Sequence, residues 1–235
     1  MLMMDWQHLL YVALPMMALL GLAQLWVSLA YRRWSRVRNR QGITGAEAAM
    51  VVLREAGITD VRVERSDGFL TDHYSPMEKV IRLSSANYDQ ATIAAVGVAA
   101  HEAGHAIQHA RAFFPVHLRT LAVPLANGAS LGYLAIVIGI VLMGKALNPI
   151  TLIGLLLIAG VALFQLINLP VEFDASRRAL QVLPRIGILS AEETVGARKV
   201  LTAAAMTYVA ATIAALWELV FWMMRLGLIG GRNDD

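Results

Sequence analysis

Three stretches of this chain carry no charged residue and are long enough to cross a lipid bilayer. They run from Leu9 to Ala30, from Leu121 to Gly144 and from Ile150 to Leu169. A helix needs about 20 apolar residues to span the hydrocarbon core. A fourth, less clean span is predicted between about Thr207 and Met224, with Glu218 inside it. The sequence therefore predicts a mainly α-helical, multi-pass membrane protein with about four transmembrane helices.

The composition supports this class and narrows the chemistry. Hydrophobic residues make up 57% of the chain and charged residues 16%, against roughly 45–50% and 25% in soluble domains. Because the chain has no cysteine, disulfides and thiolate metal sites are excluded, and any metal must be held by nitrogen and oxygen. No nucleic-acid motif and no P-loop is present, so neither nucleic acid nor ATP is expected as a partner.

The basic residues predict how the spans are oriented. Twelve Lys and Arg residues lie between the first two spans and five between the last two, whereas three lie on the opposite side. By the positive-inside rule, the polar segments 31–120 and 170–206 share the cytoplasmic side of the inner membrane, and both termini lie outside. The predicted regions are an anchor helix (1–31), a cytoplasmic metallopeptidase region (32–120), a transmembrane pair (121–169), a cytoplasmic helical segment (170–206), and a last transmembrane helix with its tail (207–235).

The first cytoplasmic segment is predicted to be a small α+β insertion. Thr44, Glu47 and Gly57 have the spacing of an N-cap, its capping-box partner and a helix stop. Alternating apolar and polar residues indicate strands. The remaining predicted elements are a strand in "DVRVERSDG" (60–68), a turn in "DHYSP" (72–76), a strand in "KVIRLS" (79–84) and one long helix over 84–110.

His101, Glu102 and His105 form an H-E-x-x-H motif within that long helix. Side chains four residues apart share a helix face, about 5–6 Å apart at Cβ, so both imidazoles can bind one zinc ion. Glu102 lies beside the first ligand and is predicted to be the general base for the water that the ion activates. With this motif, the insertion is predicted to be zincin-like. A coincidental match is disfavoured, because burying two histidines and a carboxylate in an Ala/Val/Ile helix without a function is energetically unfavourable.

A catalytic zinc ion needs a third protein ligand. His109 continues the same face, but it lies about 12 Å from His101 along the helix axis, so a supporting or interfacial role is favoured. The better candidates are Glu172 and Asp174 in "NLPVEFDASRRA", after the third span. Asp174 has arginines at i+3 and i+4, whereas Glu172 has no basic residue at those positions. Glu172 is therefore the predicted third ligand, with Asp174 as the alternative.

These residues carry a family resemblance. "TDHY", "VAAHEAGHAIQHA", "LPVEFDASRRA" and "TYVAA", in that order over about 40–213, resemble the bacterial YugP-like neutral zinc metallopeptidases of the membrane. The resemblance implies a membrane-embedded zinc peptidase with a cytoplasmic-side active site. It carries His101 and His105 over as zinc ligands and Glu102 as the catalytic residue.

A looser similarity extends to gluzincins of the HtpX and CAAX-protease type. Those enzymes take their third ligand from a later E-x-x-x-D segment that follows a span. Glu172 matches their ligand, and Ser176 stands where they have Asp. Because of this departure, the chain lacks at that position the carboxylate that would orient a ligand histidine. Such a hydrogen bond to a ligand histidine tunes metal sites. Asp174 is a candidate substitute.

Peptide hydrolysis also needs a donor for the developing oxyanion. His73 and Tyr74 of "DHY", and Tyr208 at the end of the last span, are candidates; a hairpin turn and an interfacial aromatic are their structural interpretations. The strand 79–84 is a candidate for pairing with an extended peptide. Glu218 is a carboxylate within a span, which by default suggests a function, although an interfacial position or a contact with Arg225 explains it equally well.

Two functions are compatible with these features. The first is a zinc endopeptidase that hydrolyses membrane or membrane-proximal proteins. The alternative is a metal-binding membrane scaffold or partner protein with weak or no proteolytic activity. The intact Glu102 favours the peptidase, because a site that only binds metal needs the histidines but not that glutamate. The expected partners are zinc, a protein or peptide substrate and the lipid bilayer.

Overall fold

The structure is a computed structural model that describes residues 6–68 and 71–230. Positions 1–5 of the predicted anchor and 231–235 of the predicted tail lie outside the described residues. The helices are α1 (Trp6–His8), a π-helical segment (Leu9–Ala13), α2 (Leu14–Trp34), α3 (Gly45–Glu55), α4 (Ser85–Tyr88), α5 (Ile93–Ala110), α6 (Phe114–Ala122), a 3-10 segment (Val123–Asn127), α7 (Gly128–Met143), α8 (Pro149–Arg185) and α9 (Ala191–Arg225). The strands are β1 (Arg62–Ser66), β2 (His73–Ser75) and β3 (Val80–Ser84).

The prediction of a mainly helical chain with about four spans is confirmed. Within the described residues, four helical stretches are long and apolar enough to cross a membrane: Trp6–Trp34, Phe114–Met143, Pro149–Arg185 and Ala191–Arg225. The last two are longer than the predicted spans, because α8 continues through Pro170 and α9 begins well before Thr207. The segment 170–206 is thus mostly the extension of two long helices rather than a separate helical segment.

The chain divides into two compact units. The first comprises Met1–Leu22, Leu118–Leu169 and Tyr208–Asp235. In it, α7 and α8 approach closely at glycines: a Cβ on Gly132 would lie 2.8 Å from the carbonyl oxygen of Gly154. Small residues at such contacts are typical of packed transmembrane helices. Asn148 closes the turn between these helices, because its side-chain oxygen accepts from the backbone N–H of Ile150 at 2.9 Å.

The intramembrane carboxylate of the first unit has hydrogen-bond partners. Glu218 Oε1 lies 2.8 Å from His8 Nε2 and accepts from Trp222 Nε1 at 2.7 Å. Arg225, the predicted partner, donates from Nη1 to Gln7 Oε1 at 2.7 Å. A buried polar group is stabilised when it is hydrogen-bonded, and these bonds link α1 to α9.

The second unit comprises Ala23–His117 and Pro170–Thr207 and contains a three-stranded sheet of order β1-β3-β2. β3 pairs with β1 in parallel and with β2 antiparallel. Two expectations are therefore wrong. The "DHYSP" segment is mostly a strand, and the reversal follows it at 76–79. The strand 79–84 is central, so both of its edges are already paired and it has no free edge for a peptide.

Helix α3 is capped as predicted. The Thr44 side chain accepts from Glu47 N, and the Glu47 carboxylate accepts from Thr44 N at 2.7 Å. The predicted single helix over 84–110 is wrong, because the chain leaves the helix between α4 and α5. There the backbone bonds to a distant segment: Asn39 N donates to Ala91 O at 3.0 Å, and Gly45 N donates to Gln90 O at 3.3 Å.

The core of the second unit surrounds α5. Residues of α3, β3, α5 and the C-terminal part of α8 contribute to one buried apolar cluster, including Val52, Leu83, Val96, Ala103 and Leu183. Burial of such side chains contributes about 25 cal/mol per Å² of apolar surface. The helix with the H-E-x-x-H motif is therefore held on several sides, and its site-bearing face is fixed relative to α8.

Candidate metal centre

Two histidines of α5 form one side of the candidate centre. Thr92 begins the helix, and its side chain accepts from Ala95 N at 3.2 Å. His101 and His105 are one turn apart, with ring centroids separated by 4.7 Å and planes inclined at 82°. Both side chains are largely buried. The predicted pairing of the two imidazoles on one helix face is therefore present.

Glu172 of α8 forms the other side. It is 2% exposed, and its Oε2 lies 3.4 Å from His101 Nε2 and 3.7 Å from His105 Nε2. One ligand atom from each of the three residues lies within 4.8 Å of the others. Ligand atoms bound tetrahedrally to zinc at 2.0–2.1 Å lie about 3.3–3.4 Å apart. The three side chains thus have donor types that zinc takes, and the distances from Glu172 to the two histidines are close to this spacing.

Gly104 permits this approach of the two helices. A Cβ at this position would lie 2.7 Å from the carbonyl oxygen of Ala175, closer than real Cβ atoms come to a backbone oxygen. Gly104 directly precedes His105, and Ala175 is three residues after Glu172. Because Gly104 has no side chain, α8 can pack closely against α5 next to the ligand residues His105 and Glu172.

Gln108 fixes the orientation of the His105 ring. Its Oε1 lies 3.0 Å from His105 Nδ1, and its Nε2 donates to Val171 O at 2.8 Å and to Asp174 Oδ2 at 3.0 Å. Because both acceptors require the amide nitrogen, the amide oxygen must face the imidazole. His105 Nδ1 then carries the proton, and Nε2 presents a lone pair towards Glu172.

Asp174 supports this orientation and is not part of the ligand group. Besides accepting from Gln108, it is bonded to Arg177 and to Arg178, the residues at i+3 and i+4. The structure thus places the alternative ligand with the local basic partners that the sequence indicated. Its carboxylate holds the Gln108 amide, which in turn holds His105.

Ser176 is the corresponding contact for His101. Its Oγ lies 3.1 Å from His101 Nδ1, and it stands at the position where the looser resemblance implies an Asp. A hydroxyl oxygen can accept the Nδ1 proton and leave Nε2 free as a ligand. The substitution therefore keeps a hydrogen-bond acceptor at this position, although it removes a charge.

The negative charge of nearby carboxylates makes the electrostatic potential at the site favourable for a cation. Burial acts to lower the pKa of His105, but the nearby carboxylates of Glu172 and Glu102 raise it above the ordinary value. Glu102 itself is 8% exposed and lies on α5 between the two histidines in sequence. It lies outside the three-residue ligand group, which leaves its carboxylate available for proton transfer.

The predicted oxyanion donors lie at different places. His73 is exposed on β2, with Nδ1 2.8 Å from Thr71 O, and pairs with Arg82 of β3. Neighbouring Tyr74 points to the other face, packs against the core, and has its ring 5.6 Å from that of His109. Burial raises the pKa of Tyr74, so its hydroxyl stays protonated. The roles of His73 and Tyr74 as oxyanion donors stay predictions.

Tyr208 lies on α9 in the first unit and is half-buried. Its predicted role as a donor stays a prediction. His109 lies on α5 one turn beyond His105, with its ring 5.6 Å from that of Tyr74, and is not a member of the three-residue ligand group; its supporting or interfacial role stays a prediction.

The sequence of this chain is similar to those of known proteins over most of its length. A family model described as "Putative neutral zinc metallopeptidase" matches residues 9–227, which is most of the chain. The chain belongs to this family. It is also 42% identical over 221 residues to "Putative membrane protease YugP" of Bacillus subtilis (strain 168), covering 93% of this chain and 96% of that protein. No solved structure matches it. Zinc is the cofactor that this family implies, and His101, His105 and Glu172 form a group that can hold it.

Sequence reasoning missed one member of the site. Gln108 follows His105 by three residues, so the two share a helix face, and an amide one turn after a predicted ligand was the available signal that it orients that ligand. Its connection to Asp174 crosses 66 positions of sequence and has no local signature. Only the packing of α8 against α5 shows that contact.

Proposed function

We propose that this protein is a zinc endopeptidase that hydrolyses peptide bonds of membrane or membrane-proximal proteins at the cytoplasmic face of the inner membrane. The observation that carries the proposal is the convergence of His101, His105 and Glu172, whose ligand atoms lie within 4.8 Å of one another. A buried carboxylate, Glu102, lies next to the first of them. Three ligands and one adjacent base are the residues that catalytic zinc sites of this kind use.

The residues have distinct roles in this mechanism. His101, His105 and Glu172 would hold zinc, which when bound lowers the pKa of a water molecule and polarises the substrate carbonyl. Glu102 accepts the proton of the attacking water and returns it to the nitrogen of the leaving amine. Its burial keeps bulk water from competing for that proton. A protonated donor such as Tyr74 would stabilise the developing oxyanion, and His73 and Tyr208 remain the other predicted donors.

The membrane location of the reaction rests on charge and hydropathy. The motif helix α5 lies between the first and second candidate spans, and Glu172 lies beyond the most apolar part of α8. The segments that carry them contain seventeen of the twenty Lys and Arg residues. The positive-inside rule supports a cytoplasmic location for these segments, and substrates at the membrane surface would reach such a site directly.

Two isosteric substitutions separate metal binding from chemistry. In purified protein, Glu172→Gln is expected to lose stoichiometric zinc. Glu102→Gln is expected to keep zinc but to lower kcat for casein or a membrane peptide on the order of 10²- to 10⁴-fold, as for loss of a general base. Glu192→Gln is the matched control, since Glu192 is an exposed carboxylate of the first turn of α9.

The outcomes decide between the two candidate functions. Zinc in the wild-type protein without cleavage under any condition would favour the metal-binding scaffold. Cleavage that is unchanged in Glu102→Gln would contradict the proposed base. Loss of zinc in Glu102→Gln would show that this glutamate is a ligand, which is incompatible with the ligand group described above.

A further inference from the structure

A groove separate from the metal centre lies between α2 and α9 in the second unit. It has a volume of about 380 Å³. Its lining combines aromatic or aliphatic side chains with cationic ones: Trp26, Leu29, Arg33, Trp34, Arg198 and Lys199. The ligand group of the metal centre contributes no residue to it. The groove therefore offers both apolar surface and positive charge for something other than catalysis.

The two kinds of lining are separated along α2. Trp26 and Leu29 come first and are exposed, at 49% and 56%, whereas Arg33 follows one turn after Leu29. Positions 26, 29, 30 and 33 share one helix face, and Trp26 and Arg33 are about 10 Å apart along the axis. A ligand in this groove would therefore have an apolar tail at one end and an anionic group at the other.

The basic end is built around the ring of Trp34. The Cζ atom of Arg33 lies 5.5 Å from the ring centroid, and Nζ of Lys199 lies 5.9 Å from it. The ring packs directly on α9 because Gly196 has no side chain there; a Cβ would come 2.5 Å from the Trp34 ring. Cations over an aromatic face are held in place while keeping their charge.

These cations are not neutralised by carboxylates of the chain. Within residues 6–68 and 71–230, neither Arg33, Arg198 nor Lys199 forms an ion pair with Asp or Glu. By contrast, Arg185 pairs with Glu55 at 3.1 Å. Positive charge is unfavourable to gather without a counter-ion, and the order of apolar and basic surface matches a phospholipid whose phosphate faces the polar end.

We propose that this groove is a binding site for an anionic phospholipid of the bilayer. The phosphate is held by Arg33, Arg198 and Lys199, and an acyl chain lies along Trp26 and Leu29. Basic pockets between transmembrane helices on the cytoplasmic side bind such headgroups. The site does not depend on the peptidase proposal, because lipid retention is measured without any substrate.

The test is native mass spectrometry of the full-length protein, released from vesicles of equal phosphatidylglycerol and phosphatidylcholine. The wild type is expected to retain phosphatidylglycerol preferentially. Arg33→Gln with Lys199→Gln is expected to lower that preference on the order of tenfold, since each basic residue near an anionic headgroup contributes appreciably. Arg32→Gln with Arg36→Gln is the matched control: it removes two exposed charges at the same end of α2 that do not line the groove.

Three results would overturn the proposal. The first is a wild type without preference, and the second is an equal loss in the control, which would show a general effect of surface charge. The third is displacement of the lipid by inorganic phosphate alone, which would show a simple anion site. A loss confined to Arg33→Gln with Lys199→Gln, unaffected by added phosphate, supports a lipid site.

Discussion

The Nδ1 atom of His105 lies 3.0 Å from the Oε1 atom of Gln108. Gln108 is completely buried, and both hydrogens of its amide are used by acceptors on α8. The amide therefore cannot turn over without leaving those acceptors unsatisfied, which costs about 1–3 kcal/mol each. A residue outside the ligand group thus decides which nitrogen of His105 faces Glu172.

Gln108→Met is expected to lower the affinity for zinc by about 10- to 100-fold, the usual effect of losing a contact that orients a ligand histidine. Methionine preserves the volume but removes the acceptor for His105. The measurement is a competitive zinc titration against a chromophoric chelator. Gln181→Met is the control, because Gln181 is exposed on α8. Equal affinity of Gln108→Met and wild type would show that the His105 ring is oriented by other groups.

Ser176→Ala is expected to weaken zinc binding about tenfold, because it removes the acceptor 3.1 Å from His101 Nδ1. Ser176→Asp keeps an acceptor at this position and is expected to bind zinc more tightly than Ser176→Ala. The absorption spectrum of the cobalt-substituted protein reports ligand geometry independently of activity. Ser28→Ala, which alters an exposed hydroxyl on α2, should leave that spectrum unchanged. An unchanged spectrum in Ser176→Ala would exclude an orienting role.

Gly104→Ala is expected to abolish stoichiometric zinc binding, because the added methyl group would lie 2.7 Å from a backbone oxygen of α8. Relieving that overlap moves α8, and Glu172 with it, away from the histidines. Gly21→Ala is the matched control: it also replaces a helical glycine, and its Cβ would meet nothing within 4 Å. Zinc content measured on both purified variants tests the prediction. Full zinc content in Gly104→Ala would mean that the helices can separate without moving Glu172.

The capping box of α3 predicts a pH-dependent effect. Hydrogen bonds from the Thr44 backbone and side chain lower the pKa of Glu47. A lowered carboxylate pKa stabilises the folded state above the unfolded value of about 4.3, and this contribution is lost as the pH falls through the folded value. Glu47→Gln should therefore reduce hydrogen-exchange protection in the first turn of α3 at neutral pH, and differ little from wild type under strongly acidic conditions.

Thr44→Ala removes the other half of the box and is expected to cost about 1 kcal/mol of local stability. The solvent-exposed carboxylate contributes less than this, because water screens its interaction. Amide exchange at Glu47, whose N–H donates to the Thr44 side chain, reports the change directly. Protection in Glu47→Gln that is lower than wild type by the same amount at every pH would contradict the titration.

Much of the site was predictable because its signals are local. Histidines four residues apart lie on the same face of a helix whatever the rest of the chain does. Asp174 likewise forms ion pairs with Arg177 and Arg178, which lie within one turn of it. Glu172 was selected because no local basic partner was available to it. These inferences need only the helical repeat and the unfavourable energy of an unpaired buried charge.

Other features depended on partners distant in sequence. The predicted helix over 84–110 is broken because backbone groups of Gln90 and Ala91 bond to Gly45 and Asn39, and the residues of "DHYSP" form a strand because β3 offers them an edge. Local propensity favoured a helix and a turn at these places, and hydrogen bonds to distant segments overrode it.

Two features could be inferred without the fold: the chain enters a membrane, and two histidines share a helix face. Both follow from hydropathy and from the 3.6-residue helical repeat, which act over short distances. The approach of Glu172 to these histidines, and the groups that orient them, depend on how α8 packs against α5. Ser176 and His101 are 75 positions apart, and their contact exists only because α8 packs against α5 at Gly104. Rules that act along a single helix cannot predict a contact between residues so far apart in sequence. That contact depends on the complementary surfaces of α5 and α8.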